Sequence, residues 1–254
     1  MGESQPGDTY YFSVLKINVF GIADCSIFGG KLSAHVYHEG VGKKGGNNVA
    51  SLLVNEFQRL GIMRQECTGK ELTIVMDNCA GQNKNRMVLR LANYLVEADF
   101  FEKVNFIFYV IGHTKNACDR WFNSLKKNYR RRNIYTFDYL VESMNTNHNI
   151  TVTVTKESGF KNWDKFFDSI YKRFAPGSTH KTHIFSACKE NKTTLCFRTD
   201  ELPETQATTQ ELLKKGAAIP PERAAMLKSP PLESIEAPIL EGSVIGSQII
   251  VRLK

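Results

Sequence analysis

The segment Leu72 to Asn85 reads LTIVMDNCAGQNKN and joins a short apolar run to a polar, amide-rich continuation. An unbroken apolar run such as Leu72 to Met76 is typical of a strand buried on both faces of a sheet. Asp77 and Asn78 end the run, and an apolar stripe at helical spacing follows, formed by Met87, Leu91, Leu95 and Ala98. The segment therefore predicts a strand, a polar loop and a helix packed on the sheet, as in α/β proteins.

A second stretch repeats this pattern. Residues 104–111 (VNFIFYVI) form another apolar run, which ends at Gly112 and His113. The helix predicted after it has a core stripe of Cys118, Phe122, Leu125 and Tyr129, and an opposite face of Asp119, Asn123, Lys126 and Arg130. We expect a second strand, loop and helix whose polar face is basic and has a carboxylate at its head.

Upstream, two β-rich stretches at Tyr10 to Ala23 and Lys31 to His38 predict a hairpin. A helix should follow over Val49 to Leu60, with Asn47 or Asn48 as N-cap and Gly61 at its end. The predicted order is β-β-α-β-α-β-α, which indicates an α/β fold with a mixed sheet.

The downstream half divides by composition. A strand over Ile150 to Thr155 and a helix over Phe160 to Phe174 should complete a domain of residues 1–175. Residues 176–199 predict a β-hairpin extension, and residues 200–254 a partly disordered, Pro-rich tail containing six of the eight prolines.

Composition limits the class of protein. The 254 residues are 42% hydrophobic, enough for a real core, and carry a net charge of +7, which favours an anionic partner. Six scattered cysteines without a CxxC pair predict reduced thiols, in the nucleus or alternatively the cytoplasm. No apolar run is long enough to span a membrane, so we expect no membrane association.

Three side chains are candidates for catalysis. Asp77 and His113 follow the ends of two strands, and Asp119 lies one turn into the helix after the second. Because functional groups collect beyond the carboxyl ends of parallel strands, Asp77 and Asp119 are candidate ligands for Mg²⁺ or Mn²⁺, with Asn78, Gln82 and Asn83 lining the site. The alternative is that Asp77 only caps a turn.

The basic residues predict a nucleic-acid surface. From Lys115 to Arg132 there are seven basic residues and one acidic residue. This density suits contacts with a phosphate backbone, although a solvated helix face would look similar. The candidate contact residues are Lys43, Lys44, Lys115, Arg120, Lys126, Lys127, Arg130, Arg131 and Arg132.

Two weaker patterns suggest other ligands. Residues 40–46, GVGKKGG, suggest a phosphate loop, but they lack the GxxxxGK[ST] spacing and follow an antiparallel strand, so we expect a flexible basic loop beside the site. His180, His183, Cys188 and Cys196 fit no common zinc spacing.

The motifs DNCxGQNKN and GHTKxxCDxxF, with HVYHEGVGKKGGNNVASLL upstream, resemble an uncharacterised transposase-derived, RNase H-like domain family over about residues 5–175. The resemblance implies the fold of DDE transposases and retroviral integrases, in which three acidic residues hold two Mg²⁺ ions. By that resemblance Asp77 matches the second acid and Asp119 the third, and His113 belongs to the same motif.

The first acid of that family has no counterpart. It lies on a central strand that precedes the hairpin, and neither Asp24 nor Glu39 is placed to replace it. A sheet without its central strand leaves unpaired backbone groups, which cost roughly 1 to 3 kcal/mol each when buried. Residues 150–155 or 244–253 are candidates to fill the gap, and without one of them we expect poor soluble expression.

The resemblance therefore predicts a transposon-derived protein with an incomplete DDE-type, metal-dependent strand-transfer or nuclease domain, and DNA as its partner. The alternative is a non-catalytic nucleic-acid-binding or scaffolding remnant. We expect no activity from this chain alone and no small-molecule cofactor. Homo-oligomerisation is left open.

Overall fold

A computed structural model describes residues 15–26, 30–63, 69–109, 117–129, 131–132, 134, 136–145, 147–173, 182–191, 194–199, 203–214, 227, 230, 232–234 and 245–253, the last segment through its backbone. Within these ranges the strands are β1 Ile17–Asp24, β2 Lys31–His38, β3 Glu71–Met76, β4 Lys103–Phe108, β5 Ile150–Val154, β6 Ile184–Cys188, β7 Thr194–Arg198, β8 Thr208–Glu211 and β9 Ile245–Leu253. The α-helices of the same ranges are α1 Gly46–Arg59, α2 Arg86–Glu97, α3 Ala117–Tyr129, α4 Phe137–Met144 and α5 Trp163–Ile170. None of these helices has both the length and the apolar character needed to cross a membrane.

The strands form one mixed sheet in the order β5-β2-β1-β9-β3-β4-β6-β7-β8. The predicted mixed α/β architecture is confirmed, and the first seven elements follow the predicted order. β3 and β4 are parallel, in register from Glu71 with Lys103 to Met76 with Phe108. Their carboxyl ends therefore lie side by side, as expected for the candidate site.

Helices cover the sheet on two faces. The larger core cluster contains residues of α1, α2 and α5, and the smaller one contains residues of α3 and α4. β3 contributes Leu72, Ile74 and Met76 to the larger cluster, while Val75 packs on the smaller one and stays partly exposed. The expectation that β3 is buried on both faces is therefore met on one face only.

The start of α1 differs from the prediction. Gly45 is the N-cap, and Asn47 instead accepts a hydrogen bond at Oδ1 from the backbone N–H of Asp164 (2.8 Å). The Asn47 side chain ties α1 to α5 and so is not available to cap its own helix. The predicted end of the helix is confirmed, because Gly61 has a φ of 70°, a left-handed conformation that favours glycine.

The C-terminal segment supplies the strand in the middle of the sheet. β9 pairs with β1 from Asn18 with Ile245 to Asp24 with Val251, and with β3 from Met76 with Ile249 to Leu72 with Leu253. The expectation that residues 244–253 fill the gap is confirmed, whereas residues 150–154 form the edge strand β5.

The direction of β9 is unusual for its position. A strand that precedes the hairpin would run antiparallel to β1, but β9 runs parallel to β1 and antiparallel to β3. The gap is therefore filled by a strand that runs opposite to the central strand that the resemblance implies.

The strands described after residue 175 belong to the same sheet as those before it. The hairpin predicted within residues 176–199 is present as β6 and β7, with β6 paired to β4, so it continues the sheet. β8 pairs with β7 at the far edge. β8 and β9, which fall within the predicted Pro-rich tail of residues 200–254, pair within the sheet.

Candidate nucleic-acid and metal site

Asp77 follows the carboxyl end of β3, beside the end of β4. The backbone N–H of Tyr109, the residue after β4, donates to the carbonyl of Met76 (3.0 Å). This hydrogen bond continues the parallel pairing one residue beyond the strands and fixes the start of the Asp77 loop against Tyr109.

The amide-rich loop after Asp77 is held by its own hydrogen bonds. The carbonyl of Cys79 accepts from the N–H groups of Gln82 (3.2 Å), Asn83 (2.8 Å) and Lys84 (3.0 Å), which makes a tight turn. Asn83 Nδ2 donates to the carbonyl of Asp77 (3.4 Å). Asn83 Oδ1 is buried and without a hydrogen-bond partner among the described residues.

The last residue of this loop has a structural role that the sequence reading missed. Asn85 is the N-cap of α2, and its Oδ1 accepts from the N–H groups of Met87 and Val88 (both 3.1 Å). An Asn directly before an apolar helical stripe is the usual N-cap signal, and it was available in the sequence. Part of the amide content of the loop is therefore explained by capping.

Asp119 lies in the first turn of α3, which is packed on the sheet. Cys118 Sγ donates to the carbonyl of Gly21 on β1 (3.7 Å), and Phe122 packs so closely on Gly21 that a Cβ there would lie 2.7 Å from the ring. These contacts fix the first turn of α3 on the sheet. Asp119 lies in this turn and is half-buried.

The pKa of Tyr109 responds to Asp119. Burial raises the pKa of Tyr109, and the proximity of Cys118, Cys25 and Asp119 raises it further. Asp77 is thus linked to Tyr109 through the backbone hydrogen bond at the strand ends, and Asp119 is linked to Tyr109 through its charge.

The predicted faces of α3 are present. Cys118, Phe122 and Leu125 are buried, whereas Arg120, Asn123, Lys126 and Lys127 are exposed, and Tyr129 is only half-buried. Arg131 and Arg132 are exposed beyond the helix, Lys43 is exposed and Lys44 half-buried in the loop before α1, and Asn78 and Gln82 are half-buried. His113, Lys115 and Arg130 lie outside the described residues.

A comparison with protein families identifies the chain. A family model described as Domain of unknown function (DUF7869) matches residues 12–203. The chain belongs to this family. No match was found among curated proteins or among solved structures. The matched span of the DUF7869 domain includes β1 to β7 and ends before β9, so the strand at the centre of the sheet comes from outside it.

Asp24 and Glu39, the two acids that could replace the missing first acid of the DUF7869 domain, have other partners. Asp24 accepts hydrogen bonds from the N–H and hydroxyl of Ser26, and Glu39 accepts from the N–H of Lys16, so each is engaged elsewhere. The β9 sequence, IGSQIIVRL, contains no acidic residue. Among the described residues, no group of three or more His, Cys, Asp or Glu side chains is arranged to hold a metal ion.

Cys188 and Cys196, which fit no zinc spacing in the sequence, lie away from Asp77. Cys188 and Cys196 line a cavity of about 570 Å³ with Glu71 and Lys103, which begin β3 and β4. This cavity is therefore at the edge of the sheet opposite to Asp77. His180 lies outside the described residues.

Proposed function

We propose that this chain is a transposon-derived protein with an RNase H-like fold that binds DNA and retains an incomplete DDE-type metal site. One observation carries the proposal: Asp77 follows the carboxyl end of β3, Asp119 raises the pKa of Tyr109 directly after the neighbouring strand β4, and Asp119 lies in the first turn of a helix whose exposed face is basic. Two carboxylates beside the basic face of α3 are suited to hold a metal ion that contacts a phosphate backbone.

Asp77 and Asp119 would hold a single Mg²⁺ or Mn²⁺ ion. Mg²⁺ is commonly bound through one or two carboxylates while it keeps several waters, so the donor set fits weak binding of one ion. When bound, the ion would neutralise charge on a phosphodiester oxygen. The chain itself contributes the two carboxylates and, through Asn83 and Tyr109, the fixed loop geometry around Asp77.

The central strand favours the non-catalytic alternative. A two-ion site needs a further carboxylate on the strand between β1 and β3, and β9 occupies that place without one. We therefore propose that the chain, placed in the nucleus, binds DNA without cutting it, and that strand transfer or cleavage belonged to its ancestor.

DNA binding is tested by its salt dependence. Lys126, Arg130 and Arg131 changed together to Gln should reduce the slope of log affinity against log salt, by about one unit per lost phosphate contact. A triple Gln variant at Lys70, Lys172 and Lys189, which are exposed and lie outside α3, should keep the wild-type slope. The measurement is fluorescence anisotropy with a labelled duplex, and an unchanged slope in the α3 variant would place the binding surface elsewhere.

Metal binding and cleavage are tested separately. Mn²⁺ titration followed by water-proton relaxation should show weak, saturable binding that Asp77→Asn and Asp119→Asn each remove. Purified protein with Mg²⁺ should leave plasmid DNA intact. Robust cleavage that Asp77→Ala abolishes would overturn the non-catalytic proposal and require a further acid.

A further inference from the structure

The loop of residues 40–46, GVGKKGG, lies at the same edge of the sheet as Asp77. β2 runs parallel to β3, since β1 is antiparallel to β2, parallel to β9, and β9 is antiparallel to β3. The loop that follows β2 therefore emerges beside the loop that follows β3. Their contact is close, because a Cβ on Gly46 would lie 2.7 Å from Asn85 Oδ1, the cap of α2.

The start of α1 presents free backbone donors at this place. Gly45, the N-cap, has an extended conformation and no side chain to accept a hydrogen bond. Its carbonyl accepts from the N–H groups of Asn48 (3.1 Å) and Val49 (3.2 Å). The N–H groups of Gly46 and Asn47 precede these and have no acceptor within the helix, and no side chain among the described residues caps them.

A buried amide supplies an independent sign of a ligand. Asn48 is only 4% exposed, and its Nδ2 atom has no hydrogen-bond partner among the described residues. This donor is directed at the loop, because a Cβ on Gly42 would lie 2.8 Å from it and 2.6 Å from the Phe160 ring. An unpaired buried donor is unfavourable, and an acceptor entering the loop would satisfy it.

The loop is held in place and positively charged. The Tyr37 hydroxyl donates to the carbonyl of Lys43 (3.0 Å), which fixes the middle of the loop on β2. Burial and the proximity of Lys16 lower the pKa of Lys44, so two ammonium groups lie near each other here. Glu39 already lies 3.7 Å from Lys16 Nζ, so Lys44 is the ammonium group that a further anion would meet.

We infer that residues 42–48 form a phosphate-binding pocket. The ligand is a phosphate group that accepts hydrogen bonds from the N–H groups of Gly46 and Asn47 and from Asn48 Nδ2, with Lys44 as counter-charge. This is anion binding at a helix N-terminus, reached without the P-loop spacing. Phosphate binding by this pocket does not depend on the proposed function. The assignment of the phosphate to a DNA strand that lies on Asp77 rests on the proposed function.

The decisive variant is Gly45→Asp in the full chain. A Cβ at Gly45 meets no atom within 4 Å, so the aspartate fits without strain. Its carboxylate would cap the free N–H groups and repel phosphate, so the melting temperature should stay the same or rise while affinity for phosphate falls about tenfold or more. Misfolding of Gly45→Asp would instead lower both the melting temperature and the affinity for phosphate. Lys44→Gln should weaken binding several-fold.

The probe is inorganic phosphate, titrated by calorimetry at constant ionic strength. The matched control is Gln58→Glu, which adds the same charge at the exposed far end of α1 and should keep the wild-type affinity. Saturable binding lost in Gly45→Asp supports the pocket. No saturation, or equal binding by Gly45→Asp and wild type, overturns it.

A second arm identifies the source of the phosphate. With a DNA duplex, Gly45→Asp should weaken affinity and reduce the salt slope by about one unit. If inorganic phosphate binds but Gly45→Asp leaves DNA affinity unchanged, the DNA assignment is wrong and the pocket serves a small phosphate compound. If the triple variant of α3 binds DNA like wild type while Gly45→Asp binds it weakly, the α3 surface is not the DNA-binding surface, and the phosphate pocket is still supported.

Discussion

Glu56 organises the charged groups buried between β2 and α1. Its Oε2 lies 3.2 Å from His35 Nε2, and its two carboxylate oxygens accept from Arg59 Nη2 (2.6 Å) and Nε (2.8 Å). Arg59 Nη2 also donates to Ser33 Oγ (3.0 Å). Burial by itself would raise the pKa of Glu56, but the hydrogen bonds from Arg59 and the proximity of His35 and Ser33 lower it to about 2.

This cluster should make stability depend on acid pH. Because the pKa of Glu56 is lower in the folded protein than its ordinary value of 4.5, its contribution is complete above about pH 4.5 and is lost as the pH falls towards about 2. The corresponding loss in the free energy of unfolding is about 3 kcal/mol. Glu56→Gln should be less stable at pH 7 and should show a flatter acid dependence in urea unfolding.

The matched control for this prediction is Glu157→Gln. Glu157 is exposed, so its replacement should leave the acid dependence of wild type in place. If Glu56→Gln loses stability towards pH 2 as steeply as wild type, another carboxylate dominates the acid response.

At the scale of elements, two ion pairs join α2 to α5 with very different burial. Arg86 and Asp164 are 3.6 Å apart and both partly exposed, whereas Arg90 is fully buried and 2.7 Å from Asp168. Arg90 also donates to the carbonyls of Lys172 and Tyr171. The two pairs are consecutive along the same helix interface, so they form a natural comparison.

We expect Arg90→Leu to destabilise the protein by about 1 to 3 kcal/mol, because the buried carbonyl of Tyr171 loses this donor. Arg86→Leu should cost less than about 1 kcal/mol, as is usual for an exposed pair. Chemical denaturation of both variants measures the difference. Equal losses in the free energy of unfolding of the two variants would show that the burial of Arg90 does not determine how much its ion pair contributes to stability.

Most single elements could be predicted from the sequence. β2 has its predicted bounds, and the core stripe of α3 is buried at Cys118, Phe122 and Leu125. Periodicity reports which face of an element is apolar, and that property is local. The capping of α1 by Gly45 was not predicted, because the side chain of Asn47 is recruited by α5, far away in sequence.

In the candidate site, too, some features follow from local sequence patterns and others depend on tertiary packing. That Asp77 ends a parallel strand follows from a local pattern, so its place at the carboxyl edge could be predicted. The donors around Gly45 and Asn48 depend on how the loop of residues 40–46 packs on Phe160, which no local pattern contains. The direction of β9 was equally hidden, since IGSQIIVRL is apolar and β-prone whichever way it runs.

At the scale of the whole molecule, stability should depend on the backbone of β9. The strand has paired neighbours on both sides, so each N–H of its paired region faces either β1 or β3. Ile249 is opposite both Ile22 and Met76. We expect Ile249→Pro, which removes a donor from the centre of the sheet, to abolish cooperative unfolding in urea and to reduce the soluble yield.

The control for this prediction is a proline at the edge of the sheet. The N–H of Thr155 donates to Val36, so alternation along β5 directs the N–H of Val154 away from β2. Val154→Pro should therefore be tolerated far better than Ile249→Pro. Near wild-type stability of Ile249→Pro would mean that β9 does not hold the centre of the sheet.

The place of β9 also sets an order of events during translation. Asn18 pairs with Ile245, so two strands from opposite ends of the sequence must meet before the halves of the sheet are joined. Until the ribosome has released residues 245–253, the nascent chain carries two half-sheets, and β1 and β3 each present an open edge to other chains. Such distant pairing closes slowly. The hazard of misassembly is therefore concentrated in the interval between synthesis of β3 and synthesis of β9, and pausing within that interval would lengthen it.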